Sequence, residues 1–142
     1  MYIHIMLDSL CLCMNLRSAA QSLTRAYDAA LAPAGVNANQ FSLMNLIRTA
    51  DSPSVKRLSE AADLDHSTLV RNLKVLEKRG LIEMRAGTDA RTRVIKLTGD
   101  GRATLRLATP LWQGVQDDFM SKLGEGNRSD LKKMLSALTA AN

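Results

Sequence analysis

Two stretches of this chain carry residue types and spacings able to do chemistry. The first runs from Asp65 to Thr98, "DHSTLVRNLKVLEKRGLIEMRAGTDARTRVIKLT". At about 100° per residue, Leu69, Leu73 and Leu76 share one narrow sector of a helix. Ser67, Arg71, Lys74 and Lys78 line the opposite side at spacings of four, three and four. Leucines would anchor such a rod, leaving hydroxyl, guanidinium and ammonium donors for phosphates and base edges. Ser67, Thr68 and Arg71, with Asn72 beside them, lie near the N-terminal end and are placed to reach bases. An arginine there can donate two hydrogen bonds to guanine O6 and N7. Lys74 and Lys78, further along, suit phosphates. An ordinary amphipathic surface helix would show the same wheel, so the adjoining residues must decide.

Those residues form a loop, Gly-Thr-Asp-Ala-Arg-Thr-Arg, between two strand-like runs. A packed core needs no arginines on a loop tip, whereas a phosphate backbone would attract them. Asp89 and Arg91 stand two residues apart, with Arg93 beyond. A carboxylate can hold a guanidinium in one orientation, so Asp89 is expected to support the loop. Arg91 would then enter an adjacent minor groove, where narrow A·T-rich stretches concentrate negative potential. Arg93 would brace the loop or meet a phosphate. The competing reading is a solvated polar turn.

Charge distribution points the same way. The chain has 142 residues and a formal net charge of +5. From Pro53 to Thr98 there are ten Lys and Arg against six acids, 10 − 6 = +4, leaving nine bases and eight acids, +1, for the remainder. A basic excess concentrated in one segment suits a polyanion-binding surface. The length fits one domain, or one domain with a dimerisation extension. Hydrophobic residues make up 46% but aromatics only 4%, so a core must come mainly from Leu, Ala, Val and Met. No apolar run approaches the roughly 18 residues of a membrane span. The start, "MYIHIMLDSLCLCM", lacks a basic segment and carries Asp8, which argues against a signal peptide. A cytoplasmic protein without membrane association is the expectation.

The elements that must position these groups are mostly helices. A stripe of Leu12, Leu16, Ala19, Leu23, Tyr27 and Ala30 predicts a helix over about 9–31, ended by Pro33 and Gly35. A second helix is expected over about 37–50, turning inward either Phe41, Met44 and Ile47 or Leu43, Leu46 and Ile47. A short third helix over about 53–62 would start with Ser52 as cap and Pro53 in its first position, burying Val55, Leu58, Ala61 and Ala62. Asp65 can cap a fourth to Arg79, with Gly80 as the left-handed residue past its end and Leu81 as its hydrophobic contact. "LIEMR" and "RVIKLT" read as a hairpin around a loop over 87–92. Thr98 would cap a long helix to Leu123, and "GEGN" would separate it from a last helix over about 129–140. The expected fold is mainly α with a small β-hairpin wing: a winged helix-turn-helix with N- and C-terminal dimerisation helices. Its segments are 1–36 for the N-terminal dimerisation region, 37–100 for the DNA-binding module and 101–142 for the C-terminal dimerisation helices.

The stretch from Asp65 to Leu105 resembles the winged-helix core of the MarR family of bacterial transcriptional regulators. The features that carry the likeness are the Ser-Thr-Leu-x-Arg-x-Leu-x-x-Leu-Glu run from Ser67 to Glu77, Arg79-Gly80-Leu81-Ile82, the Asp89-x-Arg91 wing and Leu97-Thr98-x-x-Gly101. The helix order on both sides also fits, so the resemblance covers nearly the whole chain. It implies a homodimer, a near-palindromic double-stranded DNA operator, and derepression by a small molecule or an oxidant. A dimer has independent support, because one wing and one helix make few phosphate contacts, whereas two copies on successive major grooves double them. Leu105, Trp112, Val115 and Phe119 in the fifth helix, and Leu131, Met134, Leu135 and Leu138 in the sixth, offer apolar stripes that could interlock two chains or close a monomer core.

The second reactive stretch is "CLCMN". On one helix Cys11 and Cys13 would lie about 200° apart and could not join without unwinding it. Both could be small apolar side chains near the dimer seam. Alternatively one or both form a redox switch, oxidised to sulfenic acid or to a disulfide with a partner chain. Within the resembled family, the branch sensing organic hydroperoxides keeps a reactive cysteine on its first helix, and Cys13 matches it by register. That branch surrounds the thiol with tyrosines. Here Tyr27 fills one such position, but Arg17 and Ala38 stand at the other two, and Arg17 could instead stabilise a thiolate. The other expected signal is a small aromatic or anionic effector between the dimer helices and the DNA-binding module. His4 and His66 with two cysteines make no zinc spacing, so neither a metal nor another cofactor is expected. A thiol-dependent enzyme would need a base in reach. With His4 near the terminus, His66 on the DNA-reading helix and no catalytic carboxylate pair or phosphate loop, the chain reads as a non-enzyme.

Overall fold

Helix starts in the middle of the chain fall where a side chain can accept a backbone amide. The computed structural model describes residues 11–88 and 92–140. After α1 (Leu12–Leu31) and one 3-10 turn (Ala32–Ala34), Asn37 caps α2 (Ala38–Ala50) in a reciprocal box with Gln40. Ser54 caps α3 (Val55–Ala62) through the Arg57 amide, and Asp65 caps α4 (His66–Lys78) through that of Thr68. Strands β1 (Ile82–Ala86) and β2 (Arg93–Leu97) pair antiparallel with Ile82 opposite Leu97. Thr98 caps the 25-residue α5 (Gly99–Leu123), and α6 (Glu125–Thr139) follows after the single residue Gly124. The hydroxyl of Thr98 accepts the Gly101 amide at 3.0 Å, and a Cβ on Gly101 would lie 2.0 Å from the Leu81 carbonyl oxygen. The Leu-Thr-x-x-Gly pattern therefore records a cap and a close backbone approach. Among the described residues no helix is long and apolar enough to cross a membrane.

Two expected boundaries are corrected. Ser52 does not cap α3. It has φ 59° after Asp51 at φ 51°, and Ser54 is the cap. The reason is tertiary: Pro53 is buried and its carbonyl accepts from the Ile95 amide at 2.9 Å, while Ser54 bridges to Val94. Residues 53 and 54 thus serve the edge of the hairpin before the helix can start. The last helix begins at Glu125, not near Ser129, because Gly124 at φ 83° makes the whole break. Asn127, inside the new helix, returns its side-chain amide to the Leu123 carbonyl at 2.7 Å.

The core forms where α2, α4, the hairpin and the start of α5 meet. Phe41, Met44 and Ile47, the first of the two inward faces expected for α2, are all buried; of the second, Leu43 and Ile47 are buried and Leu46 is half-buried at the edge of the core. In α3 only Leu58 is buried; Val55 and Ala62 are half-buried and Ala61 is exposed. Tyr27 of α1 packs beside Trp112 and Phe119 of α5, and Trp112 stacks on Phe41 at 5.8 Å. The Tyr27 hydroxyl donates to Gln116 Oε1, and burial raises its pKa above the ordinary tyrosine value.

Candidate nucleic-acid interface

Helix α4 meets the requirement set by its leucines. Leu69, Leu73 and Leu76 are at most 1% exposed, while Ser67, Arg71, Lys74 and Lys78 are all exposed. At its start the Asp65 carboxylate accepts from the Thr68 amide at 2.7 Å and from the Ser67 hydroxyl at 3.3 Å. Hydrogen bonds from Thr68, foremost, hold this carboxyl below the usual carboxylate range, with Ser67 and the Arg71 charge acting in the same direction. Arg71 Nη2 lies 3.5 Å from the Thr68 hydroxyl, so the N-terminal polar residues form one connected chain.

Thr68 and Asn72 are only half-exposed. They turn toward a groove of about 280 Å³ shared with Asn39 and Ser42 of α2 and Ala62 and Leu64 at the end of α3. Their donors sit to one side of the Ser67–Arg71 row. Sequence reasoning missed Val75, 48% exposed on the same helix, and passed over Lys56 and Arg57, exposed at the start of α3. An exposed base in the first turn of a short helix is visible in the sequence once the cap is placed at Ser54.

In the wing, Gly87 N–H donates to the Thr92 carbonyl at 2.6 Å, closing the base of the loop. Arg93 is exposed opposite Ala86, and Arg85 pairs with Glu83 at 2.9 Å. Asp89 and Arg91 lie outside the described residues. The strands carry the loop base from the same core that holds α4, since Ile82, Ile95 and Leu97 are buried with Leu73 and Leu76.

The two thiols are exposed, and Arg17 Nη2 lies 3.7 Å from the Cys13 sulfur. Cys11 is not helical: it stands before α1 with extended backbone, φ −82° and ψ 102°. The helical separation expected between the two cysteines therefore does not apply. Tyr27 lies fourteen residues from Cys13 on one continuous helix, a rise of about 21 Å. It cannot flank that thiol within a single chain.

A cavity of about 560 Å³ separates α2 from α5, lined by Phe41, Asn45, Arg48, Arg102, Arg106 and Trp112 among others. Asn45 Oδ1 accepts from Arg48 Nε and Nη2 at 3.1 and 2.9 Å, and Arg102 donates to the Leu97 carbonyl at 3.0 Å. Three guanidiniums over an aromatic floor, with no carboxylate in the lining, favour an anionic ring. No local signal revealed this set, because its residues come from helices more than fifty positions apart.

Known proteins share this fold. Residues 34–92 match the model of the MarR family. The M. tuberculosis transcriptional regulator MosR, solved in complex with DNA, is 37% identical, with 93% of this chain and 98% of that one covered and a TM-score of 0.81. CouR, a transcriptional repressor solved on a 23-mer DNA duplex, is 27% identical over 91% of this chain and 92% of its own, with a TM-score of 0.84. The organic hydroperoxide resistance transcriptional regulator of Bacillus subtilis is 30% identical over 128 residues, covering 89% of this chain and 84% of that protein. The chain belongs to the MarR family of winged-helix, DNA-binding transcriptional regulators.

Proposed function

We propose that two copies of this chain bind a near-palindromic operator in the cytoplasm and repress transcription until a signal releases them. One observation carries the reading: α4 buries three leucines and presents Ser67, Arg71, Lys74 and Lys78 together on its outer face. Ser67 and Arg71 read base edges, with Thr68 and Asn72 at the flank of the same surface. Lys74 and Lys78 meet phosphates. Arg91, supported by Asp89, enters the minor groove and Arg93 braces the wing. The segments 1–36 and 101–142 hold the two copies together and 37–100 reads DNA. Support comes from the leucines and methionines that α1 and α6 leave exposed, among them Leu12, Leu16, Met134 and Leu138, and from relatives solved on duplex DNA. The signal is a small aromatic anion seated among Arg48, Arg102 and Arg106 over Trp112.

A second reading of the signal rests on the Arg17–Cys13 contact and on the relative named for organic hydroperoxide resistance. The Cys13 thiolate would attack the peroxide oxygen, giving sulfenic acid while the hydroperoxide leaves as alcohol after taking up a proton. Cys11, one residue from α1, would be the nearest thiol in the same chain.

Gel shifts on the protein's own upstream region test both readings. Binding should be sequence-selective, should weaken steeply with salt, and should fall about tenfold or more on Arg91→Ala. Unselective binding contradicts the operator assignment, and unchanged affinity for Arg91→Ala contradicts the assignment of the wing to DNA. Organic hydroperoxide should release wild-type protein and spare Cys13→Ser. Equal release of both removes oxidation at this thiol from the account.

A further inference from the structure

We propose that Arg79 is a positioning residue that ties the C-terminal end of the DNA-reading helix to the end of α1, and that its charge is not spent on DNA phosphate. Arg79 belongs to the basic stretch and is exposed, so by composition it counts with Lys74 and Lys78. Its guanidinium is committed elsewhere. Arg79 Nη2 donates to the Gly35 carbonyl at 2.5 Å, across 44 residues of sequence. Gly35 ends the 3-10 turn that follows α1, with φ 77°, and a Cβ there would stand 3.3 Å from that same nitrogen. The glycine supplies both the left-handed turn and the room for the strut.

The two residues after Arg79 are held by the other long helix. The Thr98 hydroxyl, which caps α5, donates to the Gly80 carbonyl at 2.6 Å, and the Thr98 amide donates to the Leu81 carbonyl at 3.1 Å. Gly101 lies so close to the Leu81 carbonyl that no side chain fits. Residues 79–81 are therefore a joint: α1 is fastened to it through Arg79 and α5 through Thr98. Both long helices act on the reading helix at the end farthest from Ser67. Helix α4 has 13 residues and is about 20 Å long, so a tilt of about 10° at the joint moves its reading end by about 3 Å. Two such ends must meet successive major grooves about 34 Å apart. A shift of that size changes which half-site spacing fits. The bond to Gly35 fixes this angle, and any movement of α1 relative to the module is transmitted through it.

The inference rests on operator binding by two copies, so its test begins from a wild-type protein shown to bind. Affinities of wild type, Arg79→Ala, Gly35→Ala and Lys74→Ala are measured on the minimal footprinted operator. Each is followed over a salt series and on operators with one base pair added or removed between half-sites. If the wild type does not bind selectively, the functional reading fails before Arg79 is tested. Arg79→Ala should bind up to about tenfold more weakly, because a reading helix no longer held at its angle must be ordered on binding. Its salt slope should be unchanged, and its penalty for altered spacing smaller than that of wild type. Gly35→Ala, which leaves the charge intact, should show the same relaxed spacing. Lys74→Ala should flatten the slope by about 0.9 per copy and keep strict spacing. A flattened slope for Arg79→Ala would make it a phosphate contact and overturn the proposal, as would unchanged affinity with unchanged spacing preference. The exposed position of Arg79 lets its alanine variant fold, which a thermal melt verifies, so the outcome does not depend on the Gly35 variant.

Discussion

Leucine is used in two opposite ways along this chain. Between Leu31 and Ala108 lie all the fully buried apolar side chains of the described residues, and there Leu58, Leu69, Leu73 and Leu76 are sealed. In α1 and α6 the same residue type faces solvent, with Leu12 62%, Leu135 44% and Leu138 46% exposed. Helix ends differ in parallel. Every helix from α2 to α5 starts on a side-chain cap, whereas α1 and α6 have none. The middle region is satisfied within one chain, whereas the first part of α1 and all of α6 are amphipathic helices that leave Leu12, Leu16, Leu135 and Leu138 uncovered by the described residues. Periodicity announces an apolar face but not what covers it. A second copy, proposed above, supplies the cover.

The sharpest way to break this contrast is to truncate one leucine in each region. Leu73→Ala should cost about 2–5 kcal/mol in denaturant unfolding, the usual range for a sealed core leucine. Leu138→Ala should leave the unfolding of a dilute, monomeric sample nearly unchanged, within about 0.5 kcal/mol. Equal costs would mean that α6 is packed within its own chain. The double change Leu135→Asp, Leu138→Asp addresses the pairing itself. Sedimentation should then report the monomer mass and operator affinity should fall about a hundredfold, with the circular dichroism of the module retained. A surviving dimer would move the interface away from this face of α6.

Much of the middle region could be read from residue order because its determinants are local. Asn37, Asp65 and Thr98 announce helix starts, Gly80 a helix end, and the leucines of α4 a buried face. What escaped is non-local. Pro53 looks like the first residue of a helix, yet the Ile95 amide, more than forty residues on, claims its carbonyl. The arginines of the anion-favouring cavity converge from α2 and α5. Arg79 looks like one more surface cation until Gly35 is placed beside it. The half-burial of Thr68 and Asn72 likewise depends on α2, which no wheel of α4 can show. Cys11 looked helical by continuation of a stripe, but no side chain caps α1, and the helix starts one residue later.

The smallest expected effect lies at the boundary between folding and reading. Asp65 caps α4, yet it also accepts from Ser67, one of the residues assigned to base contact. The donor proton of Ser67 is thereby used, leaving the hydroxyl oxygen as an acceptor toward a base donor such as cytosine N4. Because the Thr68 hydrogen bonds depress the Asp65 pKa in the fold, the folded state favours the ionised carboxyl more than the unfolded chain does. The charge's share of the cap's stabilisation is therefore complete above the ordinary carboxylate value of about 4, and that share fades as pH falls through the lower folded value. Asp65→Ala should melt below wild type at pH 7, and the gap should narrow as pH drops below about 4, to what the neutral carboxyl's accepting oxygen still contributes. Asp65→Asn, which keeps an accepting oxygen but not the charge, should melt between wild type and Asp65→Ala at pH 7, with no such pH dependence. Asp65→Ala also removes the oxygen that holds the Ser67 proton, freeing Ser67 to change partners and alter base preference, whereas Asp65→Asn keeps it. A gap between Asp65→Ala and wild type that kept the same size from pH 7 through acid pH would show that the carboxylate's charge adds nothing at the start of α4.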